Sequence, residues 1–186
     1  NPYIRAGTLI AQWYARGPRY KVLNRLLHLP LYTIDPLDLA ALEASARTAG
    51  QSILELSEAD YPETLRQPVE TAATMSRIRL ALAYRGQVLS FADLMTQSID
   101  ALDDGRTVQA VSPVDAAQWQ DAFTEWIEEI RHLETTAAAL NMRPREVLPL
   151  IERLTDQTED APVADCVYLA DAQGVEGLRR RVVYLM

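Results

Sequence analysis

The sequence is poor in the groups that carry chemistry. It has one cysteine, Cys166, so no internal disulfide can form, and a reducing compartment is the simpler setting. Its two histidines, His28 and His132, leave little with which to build a metal centre. No glycine-rich phosphate cradle, serine elbow or metal-ligand cluster occurs. Positive charge is also short. Eighteen Lys and Arg face 26 Asp and Glu, giving a net charge of -8 and a pI near 4.8. That balance argues against a basic, self-sufficient nucleic-acid binder, although it leaves room for a local contact patch. No apolar run approaches the length of a membrane span and no signal-peptide pattern opens the chain, so no membrane partner and a cytoplasmic setting are expected.

What is present is ordinary globular material. Of the 186 residues, 48% are hydrophobic and 24% charged, enough for one domain with a real core. The chain starts at Asn1 and stops in the apolar run Val182 to Met186. A strand-like run at a terminus lacks partners, so the expectation is a piece of something longer.

Up to residue 154 the hydrophobic pattern has helical period. Leu9, Ile10, Trp13 and Tyr14 form a stripe that stops at Gly17-Pro18. Val22, Leu23, Leu26 and Leu27 form a second, ending at Pro30. Asp35-Pro36 reads as a cap followed by proline at the first helical position. The helix it starts carries Leu37, Leu39 and Leu42 and stops at Gly50. Tyr61-Pro62 reads as a short turn. Val69, Ala72, Met75, Ile78 and Leu82 make a further stripe. Ser90 with Asp93 has capping-box spacing before Phe91, Leu94, Met95, Ile99 and Leu102. Ser112-Pro113 opens the longest helix, with Trp119, Phe123, Trp126, Ile127, Ile130 and Leu133, and Asn141 ends it. Pro144 opens a last helix carrying Val147, Leu148, Ile151 and Leu154.

The character then changes. Residues 155–162 read as a polar linker. Val163, Val167 and Leu169 follow in a strand-like pattern, Gly174 to Gly177 form a turn, and Arg179 to Arg181 lead into a second apolar strand. Seven or so helices followed by a strand-turn-strand give a mainly α fold running into the edge of an α/β domain.

Three constellations invite chemistry. Glu129 and His132 have the i, i+3 spacing of a di-iron ligand pair, but the matching partner before His28 is Arg25, so a solvated face is expected. Trp119, Phe123 and Trp126 have the look of a base-stacking platform, yet their helical spacing favours core packing. Cys166 reads as a small buried strand residue.

Two segments carry a more specific signal. Arg25 to Leu39 (RLLHLPLYTIDPLDL) resembles the early 2B pattern RLLxxPxxGIxxxDL of UvrD/Rep-type superfamily 1 DNA helicases, nearer the AddA/RecB branch. Asp165 to Leu185 (DCVYLADAQGVEGLRRRVVYL) resembles the family's motif V, DxVxLMTxHxAKGLEFxxVFL. Between them, Leu89 to Met95 (LSFADLM) is similar to the family's LPLAELL helix. The resemblance implies a helical 2B-like accessory subdomain over 1–154, a linker at 155–162, and the start of a RecA-like segment over 163–186.

It further implies a fragment of an ATP-dependent DNA helicase that unwinds 3′ to 5′ in repair or recombination. ATP and Mg2+ would be cofactors of the full-length parent, with none bound by this fragment, which has no Walker A loop and would be inactive alone. DNA would be contacted through the full-length protein, and a protein partner in a repair or nuclease complex fits the same reading. By the same resemblance, Thr33, Ile34, Asp35, Asp171, Gln173 and Gly174 are the nucleic-acid-binding positions. Glu176, Gly177, Leu178 and Arg179 are the nucleotide-proximal ones. Glu176 stands where the family has lysine, Arg179 where it has glutamate, and Thr33-Ile34-Asp35 where it has Gly-Ile-Gly. Two alternatives stay open: a non-enzymatic acidic helical adaptor, or a degenerate helicase-like subunit of a nuclease complex.

Overall fold

The computed structural model describes residues 1–29, 31, 34–83, 90–103 and 113–159. Within these lie seven α-helices: α1 (Pro2–Arg16), α2 (Tyr20–Leu27), α3 (Pro36–Ala49), α4 (Pro68–Ala83), α5 (Phe91–Leu102), α6 (Pro113–Ala139) and α7 (Pro144–Glu159). A 3-10 turn over Glu58–Asp60 joins α3 towards α4. There is no strand among the described residues. The expected strand-turn-strand at 163–186, with Cys166, lies outside them.

Helix α1 is the centre of the molecule. It packs against α2, α5, α6 and α7 and buries most of its length, including the small residues Ala6, Gly7, Ala11 and Ala15. Small side chains let neighbours approach from several sides, so the Leu9-to-Tyr14 stripe is only one face of a helix buried nearly all round. Asn1 sets its start. The Asn1 side chain accepts from the Tyr3 and Ile4 N–H groups at 3.0 and 3.4 Å, and its Nδ2 donates to the Trp119 carbonyl on α6 at 2.8 Å. One cap therefore fixes both the beginning of α1 and its contact with α6.

Most sequence-level start and stop signals act as their chemistry requires. The Asp35 carboxylate accepts from the Leu37 N–H at 2.8 Å with Pro36 at the first helical position, and Gly50 closes α3 at φ 68°. Asn141 takes φ 54° after α6, and the Met142 N–H returns to the Ala137 carbonyl. The Ser90 hydroxyl caps α5 through the Asp93 N–H at 3.0 Å. Asp93 lies 3.7 Å from Arg131. The first N–H groups of α5 go instead to Glu134 of α6, whose carboxylate accepts from Phe91 and Ala92.

Two expectations need correction. The buried face of α4 is Thr71, Thr74, Met75, Ile78, Ala81 and Leu82, and Val69 is 75% exposed. Apolar periodicity misplaces this face because a buried hydroxyl, Thr71, is part of it and is satisfied by Asp38 at 3.2 Å. The second concerns the linker. Helix α7 runs on through 155–159, five residues into the stretch read as polar linker. Thr155 is buried below Ile151, and its hydroxyl meets that of Thr8 on α1 at 2.9 Å. Polar contacts continue along this seam. Gln12 and Arg16 of α1 each reach Glu152 of α7 at 2.9 Å, and the Thr8–Thr155 contact carries the docking one residue past Leu154.

The core forms two adjoining clusters. One gathers α1 to α5 around Leu26, Leu31, Leu42, Leu56, Met75 and Ile78. The other joins α1 and α5 to α6 and α7 around Ile4, Met95, Trp126, Ile130 and Ile151.

Candidate functional site

The residues singled out for metal chemistry do not come together. Glu129, His132 and His28 are all exposed, and no group of three or more His, Cys, Asp or Glu able to hold a metal is present among the described residues. The aromatic series on α6 is core. Trp126 is 1% exposed, with its ring centroid 6.0 Å from that of Phe123. Trp119 and Phe123 pack partly buried against the same interior.

Of the carried-over positions, Ile34 and Asp35 are described. Ile34 is half-buried against the core. The Asp35 carboxylate caps α3 and lies 3.9 Å from Arg66. Thr33, Asp171, Gln173, Gly174, Glu176, Gly177, Leu178 and Arg179 lie outside the described residues.

Three residues beyond Asp35, Asp38 is 1% exposed. Its carboxylate accepts from the backbone N–H groups of Arg66 at 2.7 Å and Gln67 at 2.9 Å, and from the Thr71 hydroxyl. Burial alone would raise its pKa. The two N–H groups, the hydroxyl and the nearby Arg66 charge outweigh that and hold the carboxyl below its ordinary value. Asp38 is thus an ionised acceptor that ties the first turn of α3 to the start of α4. It explains why an Asp-Leu pair ends the segment Arg25 to Leu39: the aspartate is a fastener and Leu39 is core.

The segment is led by a helix of unusual charge. On α2, Val22, Leu23, Leu26 and Leu27 face inward. Lys21, Arg25 and His28, at i, i+4 and i+7, are exposed on the other side. Arg19 stands at the helix start, and Arg5 and Arg16 are exposed on α1. His28 Nδ1 lies 2.8 Å from the Asn24 carbonyl, which can only accept, so this nitrogen carries the hydrogen. The underlying sequence signal was hidden by averaging charge over the chain. Residues 1–34 contain Arg5, Arg16, Arg19, Lys21 and Arg25 and no carboxylate, so all 26 acidic side chains lie from Asp35 onward. An overall net of -8 therefore coexists with a basic N-terminal segment, although Arg16 pairs with Glu152 and Arg25 and His28 share a groove with Glu152 and Asp156.

A second polar pair, part-buried, sits at the start of α1. The Tyr3 hydroxyl donates to Asp103 at 3.1 Å. Burial, then the Asp103 charge and hydrogen bond, push the Tyr3 pKa up to about 12. Tyr3 is accordingly a neutral donor, not a base or nucleophile.

No helix among the described residues is long and apolar enough to cross a membrane. Scanned against family models, curated proteins and solved structures, the chain finds no match.

Proposed function

We propose that this chain is a non-catalytic helical accessory segment of an ATP-dependent DNA helicase of the UvrD/Rep type, and that α2 is its nucleic-acid-facing element. The observation that carries the reading is the exposed Lys21, Arg25 and His28 row, which runs directly into the segment Arg25 to Leu39 that resembles the family's 2B pattern. Cationic side chains one helical turn apart suit successive phosphates, which position a protein on nucleic acid without reading sequence. Asp38 fixes the helix that follows the row, α3, to the start of α4.

On this reading ATP and Mg2+ are cofactors of the full-length protein. Their phosphate-binding loop lies outside this chain, which alone hydrolyses nothing. The test is the full-length helicase carrying Lys21→Glu with Arg25→Glu. Unwinding of a 3′-tailed duplex falls while DNA-stimulated ATP hydrolysis remains. A full-length protein with no Gly-x-x-x-x-Gly-Lys-Ser/Thr loop overturns the active-helicase reading.

One observation favours the adaptor reading instead. Leu140 and Leu150 are exposed beside a groove of ≈ 370 Å³ between α6 and α7. This is an apolar edge on the acidic part of the chain. A chain that pulls down a stoichiometric protein partner but shows no affinity for DNA would select it.

A further inference from the structure

A groove of ≈ 430 Å³ lies between α1, α2 and α3, within the range of about 300–1,000 Å³ usual for small-ligand sites. Trp13 and Leu23, both buried, contribute apolar wall. Tyr20, 70% exposed, also lines the groove. Arg19 and Arg47 bring two guanidinium groups, and Glu43 the carboxylate. Neither arginine makes an ion pair with a described residue that would satisfy it already.

These groups are complementary to one chemistry. An aromatic ring and apolar wall take the face of a base. Guanidinium groups take a phosphate, bidentately if geometry allows. A carboxylate accepts from an exocyclic amine and repels a carbonyl edge, which favours cytosine over thymine. An acidic peptide would satisfy the arginines but would meet Glu43 as a like charge. We propose that this groove is a single-strand pocket that takes one nucleotide of an amine-bearing base, stacked on Tyr20, with its exocyclic amine on Glu43 and its phosphate on Arg19 and Arg47. This deepens the proposed function and rests on it, since α2 supplies Arg19 and Tyr20 as well as the basic row.

The experiment is fluorescence anisotropy of the purified chain with labelled oligo(dC), oligo(dT) and an oligoglutamate peptide. The wild-type chain binds oligo(dC) about tenfold tighter than oligo(dT). Tyr20→Ala weakens both by about tenfold, and Glu43→Gln, whose amide can also donate to a carbonyl, removes the preference. Both side chains are outside the buried core, and circular dichroism confirms the fold of each variant. If Tyr20→Ala and Glu43→Gln bind as wild type while Lys21→Ala with Arg25→Ala weakens binding, the pocket is overturned and the α2 contact stands. If neither oligonucleotide binds at all, both are overturned. Oligoglutamate binding that Tyr20→Ala abolishes, at an affinity equal to oligo(dC), replaces the nucleotide with an acidic peptide.

Discussion

The indole of Trp126 lies so close over Gly7 that a methyl group on Gly7 would stand 2.9 Å from Cζ3 of the ring. Gly7 is in the middle of α1, where glycine is ordinarily worth about 1 kcal/mol less than alanine. Here the missing Cβ is what lets α6 meet α1. Gly7→Ala therefore lowers stability by about 1–2 kcal/mol, because overpacking outweighs the gain in helix propensity. Trp126→Phe relieves the clash, so the double variant loses less than the two singles combined. Trp126 Nε1 is also buried without a hydrogen-bond partner among the described residues, which further reduces what the phenylalanine forfeits. Urea unfolding followed by far-UV circular dichroism reads all three variants.

Asp38 governs the acid limb of stability. Its folded pKa is lowered, so its contribution is complete above the ordinary carboxylate value of about 3.9 and is lost as pH falls through the folded value. Asp38→Asn turns one acceptor into a donor facing the Arg66 and Gln67 N–H groups, and costs about 2–3 kcal/mol at neutral pH. Denaturation midpoints measured from pH 7 downward show the variant flatter than wild type at the acid end. Parallel curves would assign the acid limb to other carboxylates.

The start of α5 depends on a side chain 43 residues away, since Glu134 accepts from the Phe91 N–H. Glu134→Ala costs about 1–2 kcal/mol by removing a carboxylate from a helix N-terminus. It exceeds Ser90→Ala, which removes one cap at about 1 kcal/mol. Amide exchange at residues 91 and 92 speeds up in Glu134→Ala more than in Ser90→Ala.

The paired hydroxyls of Thr8 and Thr155 make a further distinction. Thr155→Val removes the bond between the two hydroxyls but leaves the Thr8 hydroxyl its Ile4 carbonyl, so it costs about 0.5–1 kcal/mol, and Thr8→Val with Thr155→Val costs less than the two singles combined. Urea midpoints of the singles and the double that depart from additivity are the result expected where α7 continues past Leu154 and docks on α1, and strictly additive values would contradict the contact.

Much of this was legible in the residues themselves. Caps such as Asp35-Pro36 and Ser90 act within a few residues, so local chemistry predicts them well. The inward rows of α2 and of Trp126 to Ile130 follow from period alone. What the sequence concealed is tertiary. Thr71 and Thr155 are polar residues on buried faces, and their places depend on Asp38 and Thr8, which are far away in the chain. Nothing local marks Glu134, because its partners are backbone amides of another helix. The groove beside Tyr20 could not be read at all, since it joins Trp13, Tyr20 and Glu43 from three helices. The basic segment was present in the sequence as an unbroken absence of acid before Asp35, and only total charge hid it.

The central claim, that α2 presents a cationic row to nucleic acid, is tested most directly by the salt dependence of DNA binding. Affinity of the chain for a labelled single strand is measured over a range of salt concentrations, for wild type and for Lys21→Ala with Arg25→Ala. Binding is expected to be salt-sensitive, with a log–log slope that becomes shallower by about 1–2 in the variant, roughly one phosphate contact for each charge removed. An unchanged slope and affinity in a correctly folded variant would contradict the claim.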